Sequence, residues 1–189
     1  MNYRNLQTVA FIGIFLIVFV SDSFSQDEDK LKIGWNNRRV GTLNFTQTTF
    51  DNWSAGGENS WSWLANLNGS FIDKQEKYQW RNIYKLEYGA SKVGSDESKK
   101  TADEIFIESE YSRMLKKMWG LYGAINGRSQ FDKGYDFSTD PKTLTSKFLN
   151  PAYFRESMGL KFEPSEIFDT RFGVSLQQSV VTDEMFAIL

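Results

Sequence analysis

Three acidic residues recur at a spacing of four in one polar stretch of the chain: Asp132, Asp136 and Asp140. Carboxylate oxygens suit Ca²⁺, but this stretch lacks the dense Asp/Asn-Gly-Glu spacing of a recognised calcium loop. We therefore interpret it as a solvated surface loop. The 189-residue chain has no cysteine and no histidine, which excludes thiolate chemistry, Ser-His triads and most transition-metal sites. We expect no catalytic residue, no metal and no cofactor, and hence no enzyme.

A second polar group surrounds a pair of glycines and is the best candidate for a functional loop. Gly-Gly permits positive φ, so a hairpin connection that needs those glycines explains the composition as well as a binding role does. Turn chemistry alone favours the hairpin interpretation, and both remain open. This candidate functional loop consists of Asn52, Trp53, Gly56, Gly57, Glu58 and Asn59.

The N-terminus has the pattern of an export signal. Arg4 precedes an apolar run at residues 9–20, and Ser23-Phe24-Ser25 places small residues before a cut at Gln26. A membrane-spanning helix is the alternative, but it needs about 20 apolar residues, and the polar pair at 21–22 ends this run too early. We predict a signal peptide at 1–25, a charged periplasmic lead-in at 26–39, and β-strands over 40–189.

The mature chain shows alternation of apolar and polar residues with period two. Such alternation predicts strands with one apolar and one polar side, because successive side chains of a strand point to opposite faces. No segment shows a sustained helical period in its place. We predict seven strands, at 40–50, 60–71, 78–90, 103–113, 118–131, 152–162 and 168–177, with an eighth beginning near Ser179.

Charges of both signs fall on the polar side of these strands, and aromatic residues fall on the apolar side near the strand ends. Glu156 is the exception, because it falls on the apolar side of its strand, where exposure to lipid is costly. We expect either that it lies close to the rim or that a bulge rotates it inward. The predicted polar side carries Arg81, Lys85, Arg128, Arg155, Lys161 and Arg171 together with Glu87, Glu104, Glu108 and Glu110.

Strand length and loop length favour a transmembrane β-barrel over a soluble β-sandwich. Several predicted strands reach the roughly 9–11 residues of a tilted membrane span, beyond the usual roughly 5–6 of globular sheets. Short links at 73–77, 114–117 and 163–166 alternate with longer ones at 51–59, 94–101 and 132–150, as in barrels with short periplasmic turns and long external loops. Tryptophan and tyrosine near strand ends fit membrane interfaces. A sandwich with an aromatic core is the alternative.

Several phrases of the mature chain resemble a known family. They are Leu43-Asn44-Phe45-Thr46-Gln47 with residues 52–59 (NWSAGGEN), Lys100-Thr101-Ala102-Asp103, residues 130–136 (QFDKGYD) and residues 148–153 (FLNPAY). These phrases are similar to those of the uncharacterised exported proteins grouped as domain of unknown function 3078. The resemblance implies an outer-membrane barrel with no catalytic residues to carry over.

One departure from that family concerns length. Its members generally continue for several more strands, whereas this chain stops at Leu189 in an apolar run. A closed barrel pairs its last strand with its first, leaving no edge in lipid. We therefore expect an incomplete barrel of seven or eight strands in an antiparallel up-and-down meander.

The function expected from the sequence is that of a non-enzymatic barrel in the outer membrane of a Gram-negative cell, acting as a channel or a structural envelope protein. Its partners would be outer-membrane lipid, periplasmic chaperones and the barrel-assembly machinery, with small solutes as an open question. The alternative is a soluble periplasmic β-sandwich that binds an apolar ligand or a protein. The 22 basic and 24 acidic residues balance, so nucleic acid is not an expected partner.

Overall fold

The computed structural model describes residues 31–51, 56–165 and 168–181. The predicted signal peptide at 1–25, the loop residues Asn52 and Trp53, and the apolar run at 185–189 lie outside this part of the chain. Within it, no helix is long and apolar enough to cross a membrane. Its strands are β1 (Gly34–Thr48), β2 (Ser60–Lys74), β3 (Tyr78–Val93), β4 (Lys99–Met114), β5 (Trp119–Ser129), β6 (Gly134–Asp136), β7 (Thr143–Ser146), β8 (Ala152–Ser165) and β9 (Phe168–Val180).

The seven long strands form one antiparallel meander in the order β1-β2-β3-β4-β5-β8-β9. Each strand pairs with the next long strand along the chain, which confirms the predicted all-β up-and-down topology. The sheet is open, because β1 and β9 are its two edges and no register joins them within the described residues.

The first strand begins earlier than the sequence predicts. β1 starts at Gly34 instead of Val40, so residues 34–39 of the predicted lead-in pair with residues 69–74 of β2. These six residues show no apolar alternation, which is the signal used to place the strand. Their backbone N–H and C=O groups nevertheless complete the ladder, because strand pairing is a property of the backbone and not of the side chains.

Two other differences concern the long connection and the end of the sheet. The stretch at 132–150, interpreted as a loop, contains β6 and β7, which pair as a short hairpin. The eighth strand expected near Ser179 is wrong at that position, since Ser179 belongs to β9 and pairs with Tyr153. Both β6 and β7 are too short for alternation to stand out from the surrounding polar sequence.

The register assigns each side chain to one of two faces. On the face called here the apolar face, one row runs Leu67, Leu86, Ile105 across β2, β3 and β4. On the opposite, polar face a neighbouring row runs Lys85, Phe106, Arg128 across β3, β4 and β5. The alternation predicted from the sequence is therefore reproduced in space, strand after strand.

No second layer of described residues covers the apolar face. Among the described residues, Ala152 is the one buried hydrophobic residue, whereas Val174 on β9 is 72% exposed and Met158 on β8 is 66% exposed. A water-soluble domain hides such side chains in a core, because apolar surface in water is costly at roughly 25 cal/mol per Å². In this sheet the apolar side chains face outward.

The connections are sorted by length between the two ends of the sheet. The end called here the short end holds the β2–β3 link at 75–77, the β4–β5 link at 115–118 and the β8–β9 link at 166–167. The opposite long end holds the β1–β2 link at 49–59, the β3–β4 link at 94–98 and the excursion at 130–151 that contains β6 and β7. The predicted alternation of short and long links is confirmed.

Candidate functional site

The polar face carries a network of ion pairs that spans most of the sheet. Lys85 on β3 lies 2.7 Å from Glu104 on β4, and Arg128 on β5 contacts the same carboxylate at 3.1 Å. Near the short end, Lys161 on β8 contacts Glu163 at 2.6 Å and Asp169 at 3.3 Å. Each of these carboxylates lies against one or two cations, so charges of opposite sign are paired on this face.

Glu110 on β4 is the centre of this network. Its side chain is only 4% exposed, and its carboxylate accepts hydrogen bonds from Arg81 on β3, at 3.2 Å, and from Arg171 on β9. Two strands, β5 and β8, lie between β4 and β9 in the sheet. In a flat sheet the two backbones would lie roughly 14 Å apart across the strands.

The register adds a second separation between the two residues, along the strand direction. The row of Glu110 passes through Ala124 and Ser157 to Ser175, so Arg171 lies four residues further along β9, roughly 13 Å in an extended strand. The two side chains together cannot cover that diagonal on a flat sheet. They meet because the sheet curls toward the polar face, which makes that face concave and the apolar face convex.

Small residues on the concave face leave room for the contact. Gly159 on β8 and Gly173 on β9 pair with each other, and a Cβ on Gly173 would lie 2.5 Å from the phenolic oxygen of Tyr122. The Tyr122 ring in turn lies 5.8 Å from the guanidinium carbon of Arg171. The glycines therefore let one aromatic ring lie across two strands and support the arginine that reaches Glu110.

On the convex face, aromatic rings form a row along the short end. Trp35 lies 6.1 Å from Trp80 between ring centroids, and the Trp80 indole N–H donates to the Ser109 hydroxyl at 2.9 Å. The row continues across β3 to β9 through the pairs Tyr78–Tyr111, Trp119–Phe162 and Phe162–Phe168, at 5.7, 4.5 and 6.4 Å. Trp63 and Tyr88, 5.6 Å apart, lie toward the long end.

Glu156 and Arg39 are charged residues on the convex face, and each has a partner. Glu156 pairs in register with Ile125 and Leu176, so no bulge turns it inward, and its carboxylate accepts hydrogen bonds from the Gln178 amide at 3.2 and 3.3 Å. The idea that a bulge rotates Glu156 is therefore wrong. The Arg39 guanidinium carbon lies 5.3 Å from the Phe71 ring centroid, a distance at which cation–π attraction operates.

Three of the phrases singled out in the sequence meet at the long end. The Asp103 carboxylate accepts the backbone N–H groups of Phe131, at 2.6 Å, and of Asp132, at 3.0 Å, and it also binds Lys100. The Gln130 amide donates to the carbonyl oxygens of Lys147 and Pro151 at 2.6 and 3.2 Å. This cluster, called here the rim cluster, fixes both ends of the 130–151 excursion to the sheet.

The acidic residues of that excursion do not gather around a common point. Asp132 accepts hydrogen bonds from the Lys133 N–H and the Tyr88 hydroxyl, and Asp136 accepts one from the Ser138 N–H. These bonds hold the pKa of both carboxyls below the ordinary value, the backbone N–H being the largest cause in each case. The described residues contain no group of three potential ligands that could hold a metal ion.

The four described residues of the candidate functional loop, at 56–59, form a turn. Gly56 has a φ of 80°, and a Cβ on Gly57 would lie 3.0 Å from the Phe50 ring. The Asn59 side chain accepts the Phe50 N–H at 2.7 Å, and the Asn59 carbonyl accepts the Gly94 N–H at 2.7 Å. Gly57, Glu58 and Asn59 therefore close the β1–β2 link and hold it against the β3–β4 link, where a Cβ on Gly94 would meet the Glu58 carboxylate.

Comparison with known families gives a match to the model described as protein of unknown function (DUF3078), over residues 45–135. Residues 45–135 are a DUF3078 domain. The resemblance noted in the sequence is confirmed over this range, which runs from within β1 to within β6. The phrase at 148–153 lies outside the match. No curated protein and no solved structure matches the chain.

The DUF3078 domain contains most of the polar network but not all of it. Arg81, Glu104 and Glu110 lie inside the matched range, whereas Arg171 lies beyond it. The sequence places these four residues on one side of the sheet, but it gives no sign that Arg171 reaches Glu110. Only the small residues at 124, 157, 159 and 173, on the same side, could have suggested an open path between them.

Proposed function

We propose that this chain contributes its strands to a β-barrel in the outer membrane of a Gram-negative cell, as a non-enzymatic channel or structural envelope protein. In this arrangement the convex face meets lipid and the concave face looks into the barrel. The strands, at 11–16 residues for the seven long ones, are long enough for a tilted span. Exported barrels reach that membrane with periplasmic chaperones and the barrel-assembly machinery, which we infer as partners.

The placement of tryptophan is the observation that carries this proposal. Every tryptophan of the described residues lies on the convex face: Trp35, Trp61, Trp63, Trp80 and Trp119. Tryptophan favours the boundary between water and lipid because its ring is apolar and its N–H can donate a hydrogen bond. Trp35, Trp80 and Trp119 belong to the aromatic row at the short end, as expected for one interfacial girdle of a barrel.

The opposite face supports the same proposal. Arg81 is 30% exposed in its side chain, yet it is shared between Glu108 and Glu110 at 3.3 and 3.2 Å. Charges that pair in this way on the inner side of a narrow barrel act as struts between strands. The sorted links also fit, because outer-membrane barrels have short turns at one end and long loops at the other.

Quenching of tryptophan fluorescence tests the proposal directly. The protein is refolded into vesicles of ordinary phospholipid and of brominated phospholipid, and its emission is compared. We expect strong quenching by the brominated acyl chains, together with heat-modifiable migration of the full-length protein in detergent gels. Recovery in the soluble periplasmic fraction, with emission that brominated lipid does not change, would overturn the proposal.

A matched pair of substitutions on β9 tests which face meets lipid. Val174 is 72% exposed on the convex face, and the adjacent Ser175 lies on the concave face. Arginine on the lipid side of a barrel costs about 2–4 kcal/mol near the bilayer midplane. We expect Val174→Arg to reduce insertion into vesicles strongly and Ser175→Arg to leave it nearly unchanged. Equal insertion of the two variants would contradict a lipid-facing convex surface.

One observation favours the alternative of a soluble periplasmic protein that binds an apolar ligand. A groove of about 330 Å³ on the convex face is lined by Ile105, Ile107, Ile125, Leu149 and Phe154. All seven long strands nevertheless belong to one sheet, so the described residues do not supply the second sheet of a sandwich. The quenching experiment separates the two functions, because a soluble domain would keep its tryptophans away from brominated lipid.

A further inference from the structure

A cavity of about 530 Å³ lies on the concave face, toward the long end of the sheet. Two neighbouring cross-strand rows line it. One row runs Glu108, Asn126, Arg155 and Gln177 across β4, β5, β8 and β9. The other contains Arg128, directly opposite Phe106 on β4 and Tyr153 on β8. The two arginines are therefore diagonal neighbours on adjacent strands, a relation that places Cβ atoms roughly 7 Å apart.

The cavity has more positive charge than the neighbouring carboxylates neutralise. Glu108 is engaged by Arg81 at 3.3 Å, and Glu104 is shared between Lys85 and the Nε atom of Arg128. Arg155 donates to the Gln177 amide oxygen at 2.6 Å and has no carboxylate partner within the described residues. Arg128 is 62% exposed in its side chain.

Arg155 has no carboxylate of its own among the described residues, and Arg128 shares Glu104 with Lys85. Two such arginines side by side repel each other unless an anion lies between them. Lys85 on the same face, by contrast, lies directly against Glu104. A guanidinium presents planar N–H donors that match the two oxygens of a carboxylate or phosphoryl group. The Phe106 ring, 5.6 Å from the guanidinium carbon of Arg128, holds that side chain from one side.

We infer that this cavity is a binding site for a small organic anion, which Arg128 and Arg155 hold through a carboxylate or phosphoryl group. Asn126 and Gln177 supply amide groups beside the arginines, and the Phe106 ring supplies an apolar wall. The position inside a barrel rests on the proposed function, and there the site would select anionic solutes. The binding chemistry itself depends only on the residues of the concave face.

Calorimetric titration of the full-length protein in detergent tests the inference. The probes are succinate, for a carboxylate, and inorganic phosphate, for a phosphoryl group, at low ionic strength because salt screens the attraction. We expect saturable binding of at least one probe. Arg155→Gln should weaken it about tenfold or more, the value of one lost charge-assisted hydrogen bond. Arg38→Gln removes one charge from the same face on β1 and should change the affinity less than about twofold.

A conservative variant covers the case in which Arg155→Gln does not fold. Arg155→Lys keeps the charge but loses the planar fork, so an intermediate loss of affinity is expected. Binding of only one probe identifies which oxyanion the site takes. The inference is overturned if neither probe binds, or if Arg38→Gln weakens binding as much as Arg155→Gln. If a probe binds but brominated lipid does not quench the tryptophans, the binding site is supported and its position inside a barrel is wrong. If the tryptophans are quenched but neither probe binds, only the binding site is wrong.

Discussion

Arg171 on β9 binds Glu110 on β4 across two intervening strands. Because Glu110 also binds Arg81 on β3, one nearly buried carboxylate connects β3, β4 and the edge strand β9. Small side chains between them keep the path open. The contact depends on the curl of the sheet, and it also stabilises that curl.

Glu110→Gln should therefore be strongly destabilising. The substitution leaves Arg81 and Arg171 facing each other without their shared carboxylate, and removing one partner of a buried ion pair costs about 3 kcal/mol or more. The measurement is the shift of the urea midpoint of unfolding in detergent. The control is Glu97→Gln, since the Glu97 side chain is 70% exposed and binds Lys142 at the surface. If the two variants lose equal stability, the central role of Glu110 is wrong.

Gly173→Ala tests the close packing on the concave face. The added methyl group would collide with the Met158 carbonyl oxygen and with the Tyr122 hydroxyl. Such overpacking costs about 1–3 kcal/mol. Gly41→Ala is the matched control, because its nearest neighbours would be at 3.8 and 3.9 Å, an ordinary contact. Unfolding curves of both variants should show a loss of stability only for Gly173→Ala; an equal loss would argue that any strand glycine matters.

Asp103→Ala should release the excursion at the long end. The Asp103 carboxylate holds two backbone N–H groups, those of Phe131 and Asp132. Loss of these bonds exposes Lys133 to trypsin more often, and we expect about a tenfold faster cleavage there. Asp96→Ala, which removes one exposed contact with Lys99 at 3.1 Å, is the control. Unchanged cleavage in Asp103→Ala would mean that the hairpin of β6 and β7 is held by other contacts.

The Asp132 carboxyl makes the stability of the long end depend on pH in the acid range. Its folded pKa lies below the ordinary value of 3.8, chiefly because the Lys133 N–H donates to the carboxylate. The contribution is therefore full above that ordinary value and is lost as the pH falls through the lower folded pKa.

The variant Asp132→Asn removes this titration. The urea midpoint of unfolding is measured over a pH series for both proteins. The midpoint of the wild type should exceed that of the variant by a constant difference above about pH 4, and this difference should decrease below it. Asp140→Asn serves as control for the loss of one negative charge from this excursion, because no hydrogen bond or ion pair of the Asp140 side chain is present among the described residues. A gap between wild type and Asp132→Asn that is the same at all pH values would contradict this role.

Alternation with period two was sufficient to predict the seven long strands, their order and the face of nearly every side chain. The reason is local, because side chains of an extended backbone alternate and neighbouring strands of a meander pair in register. The same local reasoning did not place residues 34–39 in a strand, because their pairing depends on backbone hydrogen bonds and shows no alternation of side chains. It also missed β6 and β7, whose few residues carry no period.

The sequence by itself therefore determined an antiparallel sheet with one apolar and one charged side, and its glycines correctly marked the β1–β2 turn. Only the tertiary structure decided which charges meet. Arg171 reaches Glu110, and Arg155 meets no carboxylate of the described residues, because the direction and degree of curl set distances between strands that are not neighbours. Curl arises from the packing of all seven strands together, and no spacing along one strand encodes it.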